Sequence, residues 1–170
     1  MRAVARLYDL TLHAMGAIAA ILIAAVALGI SLDVIQRNIG WGTFSWMLEA
    51  SEYAIFVATF LGAPWVLRLG AHVRVDVLVT SLPPRAARVF ETLANLVGVA
   101  TSGVLLYYAL RVTGNSIADD ARIIKMFIVP EWWVFALVAF AILLIIVEFL
   151  RRIVTAWTAP PARGPSAPAH

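Results

Sequence analysis

At 170 residues the chain has room for one compact membrane domain and no sizeable soluble one; 62% of its residues are apolar and 14% charged, against about 45–50% and 25% in ordinary soluble domains. It contains no cysteine, which excludes disulfides, thiol nucleophiles and cysteine-based metal sites. The net charge of +3 fits basic residues gathered on the cytoplasmic side of a membrane better than a nucleic-acid partner.

The first expected span covers residues 13–36. Its centre, 14–32, is 19 uncharged residues, as a helix roughly 28 Å long and so matched to the hydrocarbon core. Arg2 and Arg6 precede it as they would a cleavable signal. The apolar run is too long for a signal core, and no small-x-small site closes it before Asp33 and Arg37, so a retained helix is expected. Asn38 to Thr43, broken by Gly40 and Gly42, reads as a turn. Ser45 is placed to cap the second span, 46–68, with Glu49 in its first turn near the positive end of the helix dipole.

Val75, Leu78, Val79 and Leu82 follow the i, i+3, i+4, i+7 pattern of a short amphipathic helix lying on the cytoplasmic surface, ended by Pro83-Pro84. Residues 72–77 also alternate like a strand, but a lone strand there has no pairing partner. The third span is expected at 89–111 and the fourth at 130–150. Together residues 1–158 make a four-helix, all-α membrane domain. The proline-rich tail, 159–170, reads as disordered.

Basic residues set the orientation. With a cytoplasmic amino terminus, nine of them fall inside (Arg2, Arg6, Arg68, Arg74, Arg85, Arg88, Arg151, Arg152, Arg163) and four outside (Arg37, Arg111, Arg122, Lys125). Both termini are therefore expected in the cytoplasm. Trp41, Trp46, Trp132 and Trp133 gather at the outer ends, where amphipathic rings favour the interface.

Three features stand out as candidate sites. If Arg68 marks the inner boundary, Glu49 lies at the outer rim and Glu52 one turn deeper. There a carboxylate must be paired, protonated or reached by water. A contact to a partner subunit, an ion-pathway role, or a bland pairing with Arg37 or Arg111 all satisfy that requirement. Next, Ala50, Ala54, Ala58 and Gly62 recur every fourth residue, a spacing that lets helix backbones approach closely. Gly16, Ala20 and Ala24, and Ala94, Gly98 and Ser102, repeat it in the first and third spans. Finally, Arg68, His72 and Asp76 are successive i, i+4 neighbours on a continuing helix. A hydrogen-bonded pair is the simpler reading of His72 beside Asp76, ahead of pH sensing or metal binding.

The centres of the first, third and fourth spans contain no acidic, basic or histidine residue, so neither a transmembrane proton relay nor a buried ion pair is legible there. Asn95 is the deepest strongly polar side chain of the third span and is expected to bond to another helix. No motif for phosphate, catalytic metal or nucleophilic chemistry is recognisable, and no discontinuous helices or inverted halves mark a transport site. No catalytic residue, cofactor or metal is assigned.

The run from Glu49 to Asp76 joins Glu49-x-x-Glu52-Tyr53, the apolar helix through Phe60-Leu61-Gly62-Ala63, and Arg68-x-Gly70-x-His72-x-x-x-Asp76. It resembles the small membrane subunit, the Q subunit or DctQ family, of tripartite ATP-independent periplasmic (TRAP) transporters. The likeness covers roughly residues 10–150. The family's basic, histidine-containing turn is matched at every position, whereas its Pro-Trp opening of the fourth helix is met with one residue inserted, as Pro130-Glu131-Trp132. The resemblance implies a multi-pass protein of the bacterial inner membrane and a non-enzymatic scaffold. Its partner would be a large membrane subunit that performs sodium-coupled uptake of an organic acid delivered by a periplasmic binding protein, which the outer loops would help to dock. It makes Glu49, Glu52, Ala54, Ala58, Gly62, Arg68, His72 and Asp76 candidate partner-interface residues.

Two rivals stand beside it. A self-contained small multidrug-type exporter needs a carboxylate near the middle of its first helix, which 14–32 does not offer. A membrane anchor for a redox enzyme needs axial histidines or a quinone pocket, and His13, His72 and His170 are not placed to clamp a haem within the membrane.

Overall fold

The structure, a computed structural model, describes residues 2–69 and 83–158. Four helices dominate: α1 (Arg2–Ile39), α2 (Met47–Arg68), α3 (Pro84–Ala118) and α4 (Glu131–Thr158). Each is long and apolar enough to cross a membrane. At 1.5 Å per residue they measure about 57, 33, 52 and 42 Å, so only α2, with 22 residues, approximates the hydrocarbon thickness. The others run past the spans expected from hydropathy. Pro84 opens α3 at a position where its missing N–H is no loss.

The connection between α3 and α4 departs from the expected all-α architecture. β1 (Arg122–Ile124) and β2 (Ile128–Pro130) pair antiparallel, with Ile123 opposite Val129. The α1–α2 turn is as anticipated: Gly40 at φ +82° and Gly42 at φ +100° take backbone conformations that side chains resist. Ser45, however, does not cap α2, whose N-cap position is Trp46 with no side-chain bond. Asp33 ties the turn instead, its Oδ1 accepting the Phe44 N–H at 2.7 Å. The expected amphipathic helix and the proline-rich tail lie outside the described residues.

The helices associate as two antiparallel hairpins. In the first, the Trp65 ring lies on Gly16, 2.5 Å from where a Cβ would stand, Gly62 meets Ala19, and Met47 fills the space beside Gly29. In the second, the Phe149 ring covers Gly98, and Ala109, Ala139 and Ile142 form a buried cluster. The two hairpins meet along α2 and α4. Both of these helices start at the end that carries the β-hairpin, so they run parallel. The resulting order of principal contacts is α1–α2–α4–α3, and the outward faces of α1 and α3 stay apolar and exposed, as at Ile21, Leu28, Val97 and Leu105. Lipid gives no hydrophobic drive to helix pairing, so close packing on glycine and alanine holds the layer.

Candidate functional site: two polar clamps on the second helix

Both ends of α2 are tied to neighbouring elements by charge. At its start, Glu49 is 7% exposed and its carboxylate accepts the backbone N–H groups of Met126 (2.7 Å) and Phe127 (3.1 Å) at the tip of the β-hairpin. One turn on, Glu52 pairs with Lys125 at 2.7 Å. Ser116 donates to Glu131 at 2.6 Å, and the Glu131 N–H to the Ala121 carbonyl, which secures the base of the same hairpin. A charged acceptor at an N-terminal turn is favoured by the helix dipole, and the three-residue tip between β1 and β2 leaves two amides without ladder partners for Glu49 to satisfy. The Lys125 ammonium is held above its ordinary value, first by the hydrogen bond to Glu52 and then by the charge of that carboxylate.

At the other end, Arg68 reaches across two helices. Its Nη2 lies 2.7 Å from Asp9 Oδ1 on α1 and its Nη1 3.7 Å from Glu148 Oε1 on α4. Glu148 is 1% exposed, and Arg151 (3.2 Å) and Arg152 (3.7 Å) surround it as well. Tyr8 Oη donates to Glu148 Oε2 at 3.4 Å. A carboxylate this deep persists only with such company, because removing an ion from water costs several kcal/mol. Nearby, Trp65 Nε1 donates to His13 Nδ1 at 3.3 Å, locking the ring that covers Gly16.

The expected site residues separate accordingly. Glu49, Glu52 and Arg68 are brought into the two clamps. Glu52 pairs with Lys125, not with Arg37 or Arg111, because the hairpin folds back over the start of α2. Ala58 (3% exposed) and Gly62 face into the chain, Gly62 against Ala19 of α1; Ala54 is half-buried. His72 and Asp76 lie outside the described residues, and Arg68 is engaged with Asp9 and Glu148. The four-residue ladders locate α1 packing only in part: Gly16 is buried, but the face continues through Ala19 and Val26, while Ala20 and Ala24 are exposed. Asn95 bonds within its own helix, to the Glu91 carbonyl at 2.8 Å, instead of across to another.

Glu148 is the buried member of the second clamp that the sequence reading passed over. Its signal was present: a lone carboxylate in an apolar run, three and four residues before Arg151 and Arg152. No buried ion pair was expected within the fourth span, yet Glu148, near the close of the expected span 130–150 and ten residues before the end of α4, forms one with Arg68, Arg151 and Arg152. Between α2 and α4 at the hairpin end lies an apolar groove of about 530 Å³, with Tyr53, Phe56 and Val57 on one wall and Trp133, Ala136 and Leu137 on the other. Among the described residues no group of three or more acidic or histidine side chains is arranged to hold a metal ion.

Four membrane-length helices, acidic residues opening the second and an arginine closing it therefore form one connected unit. Residues 26–159, from the second half of α1 through all of α4, match the family described as tripartite ATP-independent periplasmic transporters, DctQ component. The chain belongs to the DctQ family. No curated protein sequence matches it. As a DctQ protein it is the small subunit of a TRAP transporter and a four-helix protein of the inner membrane. It works alongside a large membrane subunit and a substrate-binding protein. The matched segment contains both clamps except for their α1 contributors, Tyr8 and Asp9.

Proposed function

We propose that this DctQ subunit is a stationary brace. It holds the large membrane subunit, which carries substrate and sodium, so that the moving part of that partner works against a fixed surface. Both termini face the cytoplasm in this reading, which puts the β-hairpin on the periplasmic side, where it contributes to docking the binding protein that delivers an organic acid. The observation that carries the proposal is the double clamp on α2. Elements that move in a transport cycle come from the weakly held parts of a structure, whereas α2 is secured at its start to the hairpin and at its end to α1 and α4. The small-residue and charged positions of α2, with His72 and Asp76, would lie where the brace meets its partner or keeps its shape for it. The exposed apolar faces of α1 and α3 supply the membrane-embedded contact area.

The test exploits the absence of native cysteine. Glu52→Cys and Lys125→Cys, joined by a short bismaleimide, replace an ion pair with a covalent strut. The cross-linked complex is expected to take up substrate at the rate of the uncross-linked variant. Arrest of uptake by the strut would show that the clamp opens during transport and would overturn the reading. In proteoliposomes the chain alone is expected to accumulate no organic acid, and the large subunit alone to lose most of its uptake.

A further inference from the structure

The outward faces of α1 and α3 differ in what they require of their surroundings. Along α1 the exposed face is apolar, as at Ile21 and Leu28, and the hydroxyls of Thr11 and Ser31 donate to the Leu7 and Ala27 carbonyls of their own helix. Lipid satisfies such a face. On α3 the apolar face is interrupted. Val104, Tyr108 and Arg111 follow one another at i, i+4 and i+7, with Tyr107 beside them, opposite the buried Ser102, Ala109 and Ser116. Tyr107 is 61% and Tyr108 55% exposed, their rings meeting edge-on with centroids 5.4 Å apart. Arg111 is exposed as well. Among the described residues, neither phenol hydroxyl nor the Arg111 guanidinium has a hydrogen-bond or ion-pair partner.

Depth makes that arrangement costly. Ala109 is buried with Ala139 and Ile142 of α4, which lie six and nine residues beyond Trp133, about 9–14 Å along the axis. Trp132 and Trp133 mark the headgroup level. The two tyrosines are therefore as deep as Ala109, and Arg111 is about 3 Å nearer the surface. The third span was expected to end at Arg111, but α3 runs on to Ala118 and carries the guanidinium inward. Each Cα–Cβ bond of a helix leans toward its N-terminus, which in α3 is the end away from the β-hairpin, so Arg111 leaves its helix pointing away from the nearer headgroups. An arginine at this depth pairs with protein instead of facing hydrocarbon, and no water reaches the phenols there.

We propose that the large membrane subunit seats on this α3 stripe, supplying a carboxylate to Arg111 and acceptors to the hydroxyls of Tyr107 and Tyr108. The proposal rests on the scaffold reading above and assigns its specific contact to one face. Charge and polarity decide the occupant: the stripe asks for acceptors at a level where lipid offers only hydrocarbon, and a DctQ protein has a membrane-embedded partner able to provide them. The α1 face asks for nothing polar.

The test uses the full-length chain co-expressed with its large subunit, carrying photo-reactive benzoylphenylalanine at Val104 or Tyr108 on α3, or at Ile21 or Leu28 on α1. Adducts are identified by mass spectrometry, and the α3 positions are expected to capture the large subunit several-fold more than the α1 positions. In titrations of the two purified subunits, Arg111→Met should bind roughly ten- to a hundredfold more weakly, and Tyr107→Phe and Tyr108→Phe each roughly two- to tenfold. Alone in detergent, all three variants should melt no lower than wild type, because these polar groups bond to nothing within the chain. Capture of the large subunit from α1 only, adducts at Val104 and Tyr108 with lipid or a second copy of this chain only, or unchanged affinity in Arg111→Met overturns the assignment to α3 and leaves the scaffold reading standing. Wild-type subunits that do not associate overturn both.

Discussion

Glu49→Ala should free the β-hairpin from α2. The wild-type carboxylate accepts two backbone N–H groups, from Met126 and Phe127, and hydrogen bonds to a charged group are worth about 1.5–3 kcal/mol each. Met126 and Phe127 have exposed side chains, so water can partly recover their amides once the carboxylate is removed, and the net loss is set at about 2–4 kcal/mol. At 1.4 kcal/mol per tenfold, local opening of the tip should become roughly 30- to 700-fold more frequent. Glu49→Gln keeps one carbonyl acceptor and loses the charge, so it should fall about halfway. Hydrogen–deuterium exchange of the purified protein in detergent reads the opening directly at the amides of 126 and 127, and peptides from the α1–α2 pair serve as the internal control. Unchanged exchange at the tip in Glu49→Ala would refute the argument that this carboxylate holds the hairpin down. Loss of protection throughout the molecule would refute the narrower claim that the effect is local.

Other expectations follow from the same geometry. Glu148→Ala leaves Arg68 and Arg152 without their shared partner; both arginines retain some contact with water, so a loss of about 2–4 kcal/mol is expected, read as a lower melting temperature in detergent. Gly98→Ala places a Cβ 2.7 Å from the Phe149 ring and should destabilise by about 1–3 kcal/mol. Gly103→Ala, which meets nothing within 4 Å, should gain up to about 1 kcal/mol in helix propensity; equal melting shifts for the two would contradict the packing described. Lys125 is held above its ordinary value of 10.5 by Glu52, so its contribution to the folded state is complete below that value and is lost as pH climbs through the raised one. Tryptophan fluorescence at the hairpin end should therefore respond to alkali above the ordinary lysine range in wild type, and that response should be absent from Lys125→Met.

The number and apolar character of the membrane helices were legible without coordinates, because a bilayer imposes length and hydropathy on any segment that crosses it. The same holds for the glycine-broken turn after α1, where local backbone chemistry decides the outcome; Pro84, read as ending the interfacial helix, instead opens α3. Glu52 was also legible as a residue that needs a partner, since a carboxylate below the rim cannot stand alone; Glu49, read as lying at the rim, is the one that the hairpin buries, while Glu52 stays half exposed. The partners of both were not legible. Lys125 and the amides of Met126 and Phe127 are more than 70 residues away in the chain, and nothing in a run of exposed, partly apolar residues announces a two-stranded ribbon that folds back over α2. The four-residue ladder in α1 could not say which face packs within the chain for a related reason: alanine is abundant, and which face is buried depends on where Trp65 and Met47 arrive from α2.

From its sequence alone, this protein was determined to be a four-span membrane chain, with acids opening the second span and an arginine closing it. Those properties depend on the chemistry of each segment against water or lipid, which short-range composition encodes. Only the tertiary structure decided that α2 and α4 run side by side in parallel, that Arg68 is shared by Asp9 and Glu148, and that the β-hairpin buries Glu49. Each of these depends on which helix faces meet. In a bilayer, where every helix face is apolar, hydropathy cannot choose among them, and the choice falls to the fit of aromatic rings on glycines and to a few buried charges.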